Sequence, residues 1–131
     1  QHRTKTTNRY FNYIYVRMGA HTLIHKRTED DIWKNLFELP LVETEKDLSE
    51  EEFLACPQFH ALFAEGEVRM VRTLLRGVKH VLSHRVIYTN FYEVTLPDNS
   101  SSFSSYQRVA VEDLDRYAVP RLIHAFLEKY V

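Results

Sequence analysis

The order of hydrophobic and polar positions predicts a chain built largely of β-strands. Residues 10–16 are dense in aromatic and β-branched side chains, which is typical of a strand packed on both faces. Residues 21–27 alternate, and the Met18-Gly19-Ala20 segment before them can turn, so we expect a hairpin here. Three further strands are predicted: a long one at 78–96, a short one at 106–111, and one at 68–75, where a helix fits as well.

Helix signals occupy the middle and the C-terminal end of the chain. Ser49 followed by Glu52 has the form of a capping box, which predicts that a helix starts there. Pro57 is expected to end or restart it, and Gly66 to close a second helical stripe of Phe59, Leu62 and Phe63. Residues 112–115 predict a brief helical turn. Pro120 predicts a last helix with one buried face, formed by Leu122, Ile123, Phe126, Leu127 and Tyr130.

The remaining segments are predicted as loops, an edge strand and a terminus. Residues 1–8 are polar and basic, so we expect a linker or disordered terminus followed by one domain at 9–131. Residues 28–35 form a polar loop that contains Trp33. Residues 36–43 are interrupted by Pro40, which favours an edge or bulged strand. Strands with a middle helix and a C-terminal helix predict an α+β sandwich with a mixed β-sheet.

Composition narrows the class of protein. The 131 residues suffice for one domain with its own core, and aromatic residues make up 13%, which favours sheet faces and the stacking of planar ligands. No apolar run approaches the ~20 residues that span a bilayer, so we expect a soluble, intracellular protein without a membrane partner. The single cysteine, Cys56, excludes an internal disulfide and any multi-cysteine metal site within this chain.

Charge is segregated along the chain although the net charge is only −1. Lys and Arg outnumber Asp and Glu by six to none in residues 1–27 and by five to none in residues 68–92. Residues 28–67 carry two against twelve, and residues 93–131 carry four against six. This distribution either places one basic face towards phosphates or leaves scattered, solvated charges, and the sequence leaves both alternatives open.

Two kinds of catalysis are not favoured by the motifs. Magnesium-dependent cleavage of a pyrophosphate needs clustered glutamates of the form R-E-x-x-E-E-x-G. The acidic segment at 43–52 lacks the leading arginine and the following glycine, so it predicts a solvated helix face with its cap. Ser83 as a nucleophile needs a base, and on a strand Ser83 and His84 would point to opposite faces. The histidine spacings do not indicate a metal site.

One stretch resembles a known family. His80-Val81-Leu82-Ser83-His84 stands at the head of the alternating run 85–94, with Trp33 to Pro40 upstream and Tyr117 to Pro120 downstream. Together they resemble the C-terminal domain of A/G-specific adenine DNA glycosylases, the MutY family. The resemblance implies a Nudix-like (MutT-like) fold and recognition of 8-oxoguanine. It covers nearly all of residues 9–130, but only the Leu-Ser-His loop and its flanks are specific.

The resemblance also implies roles for individual residues. 8-Oxoguanine carries an N7–H donor and a C8 carbonyl that guanine lacks, so a discriminating site needs groups that both accept and donate. Ser83, through its hydroxyl and backbone amide, is expected to contact that edge, with His84 near the damaged strand. Leu82 stands where the family usually has phenylalanine, and apolar packing beneath the loop would survive that change. The expected contacts to the DNA backbone are Arg76, Lys79, His80 and Arg85.

The function that follows is DNA repair without catalysis by this chain. The resemblance implies a fragment of a bacterial adenine DNA glycosylase, whose missing N-terminal catalytic domain would carry an iron–sulfur cluster and hydrolyse the N-glycosidic bond of the mispaired adenine. Expected partners are double-stranded DNA containing 8-oxoguanine:adenine and that catalytic domain, in the cytoplasm at the nucleoid. No cofactor is expected in this chain. The alternatives are an active Nudix-type nucleotide hydrolase and a protein-interaction module without a nucleic-acid role.

Overall fold

The computed structural model describes residues 6–131, which form two β-sheets and four helical segments. The larger sheet has the order β4-β1-β6-β5 and consists of β1 (Thr7–Arg17), β4 (Leu41–Thr44), β5 (Met70–Val81) and β6 (Arg85–Thr95). Strands β1 and β6 run parallel, and the other neighbours are antiparallel. The smaller, antiparallel sheet has the order β3-β2-β7 and consists of β2 (His21–Lys26), β3 (Phe37–Glu38) and β7 (Gln107–Ala110).

The helices begin where the sequence predicts. Helix α1 (Glu50–Ala55) opens on the expected capping box: Ser49 Oγ accepts from the Glu52 amide at 3.1 Å, and Glu52 accepts from the Ser49 amide at 2.9 Å. Pro57 restarts the chain as α2 (Pro57–His60), and the turn at 112–115 is part of a 3-10 helix (Val111–Arg116). Helix α3 (Arg121–Tyr130) follows Pro120. No helix in residues 6–131 has the length and apolarity needed to cross a membrane.

The larger sheet lies between two apolar layers. On one face Phe91 stacks on Phe126 of α3, with ring centroids 4.1 Å apart. On the other face Tyr92 stacks on Phe53 of α1 at 4.7 Å. Residues 11–16 of β1 are all buried because the strand contributes alternately to both layers, which confirms the prediction of a strand packed on both faces. The predicted α+β architecture with a middle and a C-terminal helix is also confirmed.

The predicted hairpin of residues 10–16 and 21–27 is wrong. Strand β1 pairs with β4 and β6, whereas β2 pairs with β3 and β7, so the two strands lie in different sheets and only Met18 and His21 form a bridge. Because β1 is apolar on both faces, it occupies the interior of the larger sheet, where both of its edges are taken. Gly19 turns the chain with a φ of 61°, and a Cβ there would come within 2.9 Å of the Asp98 carboxylate.

The predicted continuous strand at 78–96 is also wrong. The chain reverses at residues 82–84, so that β5 and β6 form a long hairpin and β5 incorporates most of the strand predicted at 68–75. Gly77, with a φ of 71°, sits at an irregularity inside β5 and does not end it. The reversal at residues 82–84 contains no glycine or proline to mark a turn, which is why the pattern did not separate the two strands.

The boundaries near the N-terminus and Pro40 differ in detail from the prediction. Strand β1 starts at Thr7, which pairs with Arg85, so residues 7 and 8 belong to the sheet and not to a linker. Residues 1–5 of that predicted linker lie outside the described residues. Pro40 divides the predicted edge strand into β3 and β4, one at an edge of each sheet, which confirms its edge position.

Candidate functional site

The predicted recognition residues lie at the tip of the β5–β6 hairpin. The Leu82 amide donates to the Arg85 carbonyl at 2.8 Å, which leaves Ser83 and His84 exposed at the turn. The His84 carbonyl accepts from the Thr7 amide at 3.0 Å, so the tip is tied to the start of β1. Among residues 6–131 the backbone amides of Ser83 and His84 have no protein acceptor. The tip therefore offers the Ser83 hydroxyl and two amides to a ligand.

Leu82 anchors this tip to the protein. Its side chain is half-buried and packs against the core layer that contains α3. This is the apolar packing that was expected beneath the loop. The neighbouring His80 ring lies edge-on to Trp33 with centroids 6.0 Å apart, and Trp33 lies edge-on to Phe11 of β1 at 6.0 Å. The loop at 28–35 thus supports the base of the hairpin. His80 therefore packs against Trp33 near the end of the sheet where the tip lies.

The residues predicted to contact the DNA backbone lie in different environments. Lys79 and Arg85 are exposed and make no ion pair within residues 6–131. Arg76 instead donates to the Tyr92 hydroxyl at 2.6 Å and to the Leu48 carbonyl at 2.9 Å, and it lies 3.8 Å from Asp47. Arg76 is exposed, but its Nη1 and Nη2 already donate to protein acceptors, so the structure favours Lys79 and Arg85 over Arg76 as phosphate contacts.

Ser83 has no partner that would make it a nucleophile. We expected Ser83 and His84 to lie on a strand, with their side chains on opposite faces. Both lie in the turn, so this reason against serine catalysis was wrong. Within the described part of the chain no histidine or carboxylate makes a hydrogen bond to the Ser83 hydroxyl. Among residues 6–131 no group is therefore in contact to take the proton of this hydroxyl, which can hydrogen-bond to a ligand.

The acidic segment at 43–52 does not form a metal site. Glu43 pairs with Arg9, Glu50 accepts from Thr73, and Glu52 serves the capping box. Within residues 6–131 there is no group of three or more His, Cys, Asp or Glu side chains placed to hold a metal ion. These carboxylates serve the fold, and they do not fit the magnesium ion that pyrophosphate cleavage would need.

Sequence reasoning missed a buried carboxylate beside the smaller sheet. Glu38 of β3 is 2% exposed and accepts from the Tyr13 hydroxyl at 2.7 Å and from Arg27 at 3.0 Å. His25 Nε2 lies 3.0 Å from its second oxygen. Burial, followed by the charge of Glu38, raises the pKa of Tyr13 well above its ordinary value. In the sequence Glu38 was one residue of a packing segment, and nothing in the pattern marked it as buried.

Charged side chains also fix the loop that carries Trp33. The Arg9 guanidinium donates to both Asp31 oxygens, at 2.8 and 2.9 Å, and to both Glu43 oxygens, at 2.8 and 2.7 Å. Asp31 also accepts from Arg27 at 2.8 Å. The hydrogen bond from Arg9 lowers the pKa of Asp31 to about 2 from its ordinary 3.8. The ion pair thus joins β1 to the loop beneath the hairpin.

Acid is expected to remove the stabilisation that the Arg9–Asp31 ion pair gives to the fold. The pKa of Asp31 is lower in the folded state than in the unfolded chain. Its contribution to the stability of the fold is therefore complete above about pH 4 and is lost as the pH falls towards 2. The wild-type chain should therefore lose about 1 kcal/mol more stability between pH 4 and pH 2 than Asp31→Asn does. Urea unfolding at each pH measures this, with the exposed Asp115→Asn as control. Equal acid sensitivity of wild type and Asp31→Asn would contradict the assignment.

In the fold and the site, a mixed sheet lies between helices and presents an exposed hairpin tip. The described residues 6–131 contain no carboxylate cluster placed to hold a metal ion. The NUDIX domain family matches residues 12–129, so the chain belongs to the NUDIX domain family. The predicted Nudix-like (MutT-like) α+β fold is confirmed by this match and by the architecture. No match was found among the curated proteins.

Solved structures similar to this one include a MUTYH domain and MutT proteins. The C-terminal domain of mouse MUTYH, solved in complex with human PCNA, superposes with a TM-score of 0.66 at 15% identity over 93% of this chain and 86% of that one. A MutT structure from a study of Aliivibrio salmonicida and Vibrio cholerae gives 0.62 at 15% identity over 94% and 96%. The MutT protein of Methanosarcina mazei gives 0.61 at 16% identity over 95% and 93%. At these identities the likeness concerns the fold.

Proposed function

We propose that this chain is the 8-oxoguanine-recognition domain of an A/G-specific adenine DNA glycosylase and that the Leu82-Ser83-His84 tip contacts the lesion. The observation that carries the proposal is the tip itself: an exposed serine hydroxyl beside two backbone amides that lack protein acceptors, held by an anchored Leu82. The similarity of the fold to the C-terminal domain of mouse MUTYH is consistent with this assignment.

The chemistry of the tip suits the edge that distinguishes the lesion. The Ser83 hydroxyl can accept from N7–H of 8-oxoguanine, and a backbone amide can donate to the C8 carbonyl. Guanine offers an acceptor at N7 and no carbonyl at C8, so the same groups would match it less well. A contact of this kind recognises the lesion on the strand opposite the mispaired adenine, and exposed Lys79 and Arg85 would position the backbone without specifying the base.

The proposal assigns catalysis to another part of the parent protein. An N-terminal catalytic domain with an iron–sulfur cluster would flip out and excise the adenine, while this domain supplies selectivity for the lesion. The engaged carboxylates at 43–52 are the reason to prefer recognition over hydrolysis of a free nucleotide, because Glu43, Glu50 and Glu52 each have a structural partner.

Duplex binding by the 131-residue chain tests the proposal. We expect tighter binding to a duplex with 8-oxoguanine opposite adenine than to the same duplex with guanine, by about tenfold at low salt. Fluorescence anisotropy measures both, and both affinities should fall as salt rises because phosphate contacts release counterions. Equal affinity for the two duplexes would favour a protein-interaction module. Magnesium-dependent release of pyrophosphate from 8-oxo-dGTP would favour a Nudix hydrolase.

A further inference from the structure

A pair of stacked tyrosines lies on the larger sheet beside the recognition tip. Tyr10 and Tyr88 are register neighbours on β1 and β6, and their rings stack with centroids 5.6 Å apart and an angle of 17° between planes. Both side chains are half-buried, and neither belongs to the two core layers of the domain. Tyrosine pairs in protein interiors serve packing, but this pair lies outside the core and next to the end of the sheet that is proposed to meet DNA.

The surroundings of this pair are basic and apolar on the side of β5 and the tip, whereas the next row in the other direction is polar, with Asn90 bound to Asp47. Lys79 of β5 lies opposite Tyr88 in the sheet register, so the two tyrosines and the lysine form one row across three strands. The next row towards the tip contains Val86 and Val81, which is 65% exposed. Strand alternation places all five side chains on one face of the sheet. We call these five residues the tyrosine platform, which contains no acidic side chain.

The composition of the platform matches one kind of ligand. Aromatic faces stack on nucleobases whatever their sequence, and a lysine beside them pairs with the phosphate. Residues 68–92 supply the recognition tip and four of the five platform side chains, all but Tyr10. They carry five Lys or Arg and no Asp or Glu. Arg69, Arg72 and Arg76 bind groups within the protein. Lys79 and Arg85 are exposed and make no ion pair among residues 6–131, and their charge complements a polyanion.

We infer that the tyrosine platform binds an unpaired nucleobase together with its adjoining phosphate, in the strand of DNA that the hairpin tip contacts. The inference rests on the proposed function only in taking this end of the sheet as the side that meets DNA. Stacking does not require a damaged base, so the platform adds affinity for unpaired nucleotides, while Ser83 supplies the preference for the lesion. The two contributions are therefore separable by substitution.

The test uses the 131-residue chain and a labelled, undamaged single-stranded oligonucleotide. Tyr88→Leu removes the aromatic face and should weaken binding about tenfold, whereas Tyr88→Phe keeps the ring and should bind within about twofold of wild type. Tyr130→Leu, on α3, is the control for loss of a tyrosine elsewhere. Lys79 is exposed, and Lys79→Gln should reduce the slope of log affinity against log salt concentration by about the amount expected for one phosphate contact. Thermal unfolding of each variant verifies its fold, and Tyr10→Leu replaces Tyr88→Leu if that chain does not fold.

The outcomes separate this inference from the proposed function. Equal single-strand affinity of wild type and the folded leucine variant, or no single-strand binding by wild type, would overturn the platform while leaving the duplex preference to be judged by itself. A weaker leucine variant with an unchanged ratio of affinities for the 8-oxoguanine and guanine duplexes would support it. Equal losses in the leucine and phenylalanine variants would also overturn it, because stacking would then not be the cause.

Discussion

Replacing Ser83 with alanine is expected to remove most of the preference for 8-oxoguanine, a change of about tenfold in the ratio of the two duplex affinities. The serine is exposed at the hairpin tip, so alanine removes the hydroxyl without disturbing the core. Affinity for the guanine duplex should stay nearly constant, because the hydroxyl matches the N7–H that guanine lacks. Anisotropy titrations of both duplexes at one salt concentration measure the ratio.

Two controls define what this result would mean. Ser105→Ala removes another exposed serine, one outside the hairpin, and should leave both affinities unchanged. Lys79→Gln should weaken both duplexes equally, since a phosphate contact positions the DNA without selecting the base. An undiminished preference in Ser83→Ala would eliminate this residue as the source of discrimination. A parallel loss for both duplexes would instead make the serine a general contact.

Features encoded in a few neighbouring residues could be predicted from the sequence. Ser49 and Glu52 specify the start of α1 because a capping box needs only residues three apart. The apolar positions of the last helix, including the fully buried Phe126, follow from its period. The dense apolar run in β1 predicts burial on both faces. For the candidate site, the sequence singled out Ser83 and His84, but only the structure showed that they lie in an exposed turn and not within a strand.

Features that depend on pairing across the chain could not be predicted in the same way. Strand β2 joins the smaller sheet because β4 and β6 already occupy both edges of β1. Nothing in residues 21–27 indicates this pairing. Arg76 is basic like Lys79, but its hydrogen bonds to Tyr92 of β6 and to Leu48, before α1, appear only in the folded chain. The charge of residues 68–92 thus overstates the basic surface, because part of it is bound internally.

Glu38→Ala is expected to lower the free energy of unfolding by about 3 kcal/mol, the largest stability effect predicted here. The substitution leaves the Tyr13 hydroxyl, in a fully buried residue, without its acceptor. It also removes a carboxylate from Arg27, whose side chain is only 11% exposed. A buried polar group that loses its partner keeps the cost of leaving water, so the loss exceeds that of a surface ion pair. Urea unfolding at pH 7 measures it.

The matched control is Glu43→Ala, which removes an exposed carboxylate from Arg9 and should cost less than about 1 kcal/mol. If the orphaned hydroxyl causes part of the loss, Tyr13→Phe in the Glu38→Ala background should recover stability, because both partners of that hydrogen bond are then absent. Similar losses for Glu38→Ala and Glu43→Ala would show that Glu38 does not behave as a buried, paired charge. Recovery in the double variant would instead locate the cost in the contact between Tyr13 of β1 and Glu38 of β3, which joins the larger sheet to the smaller one.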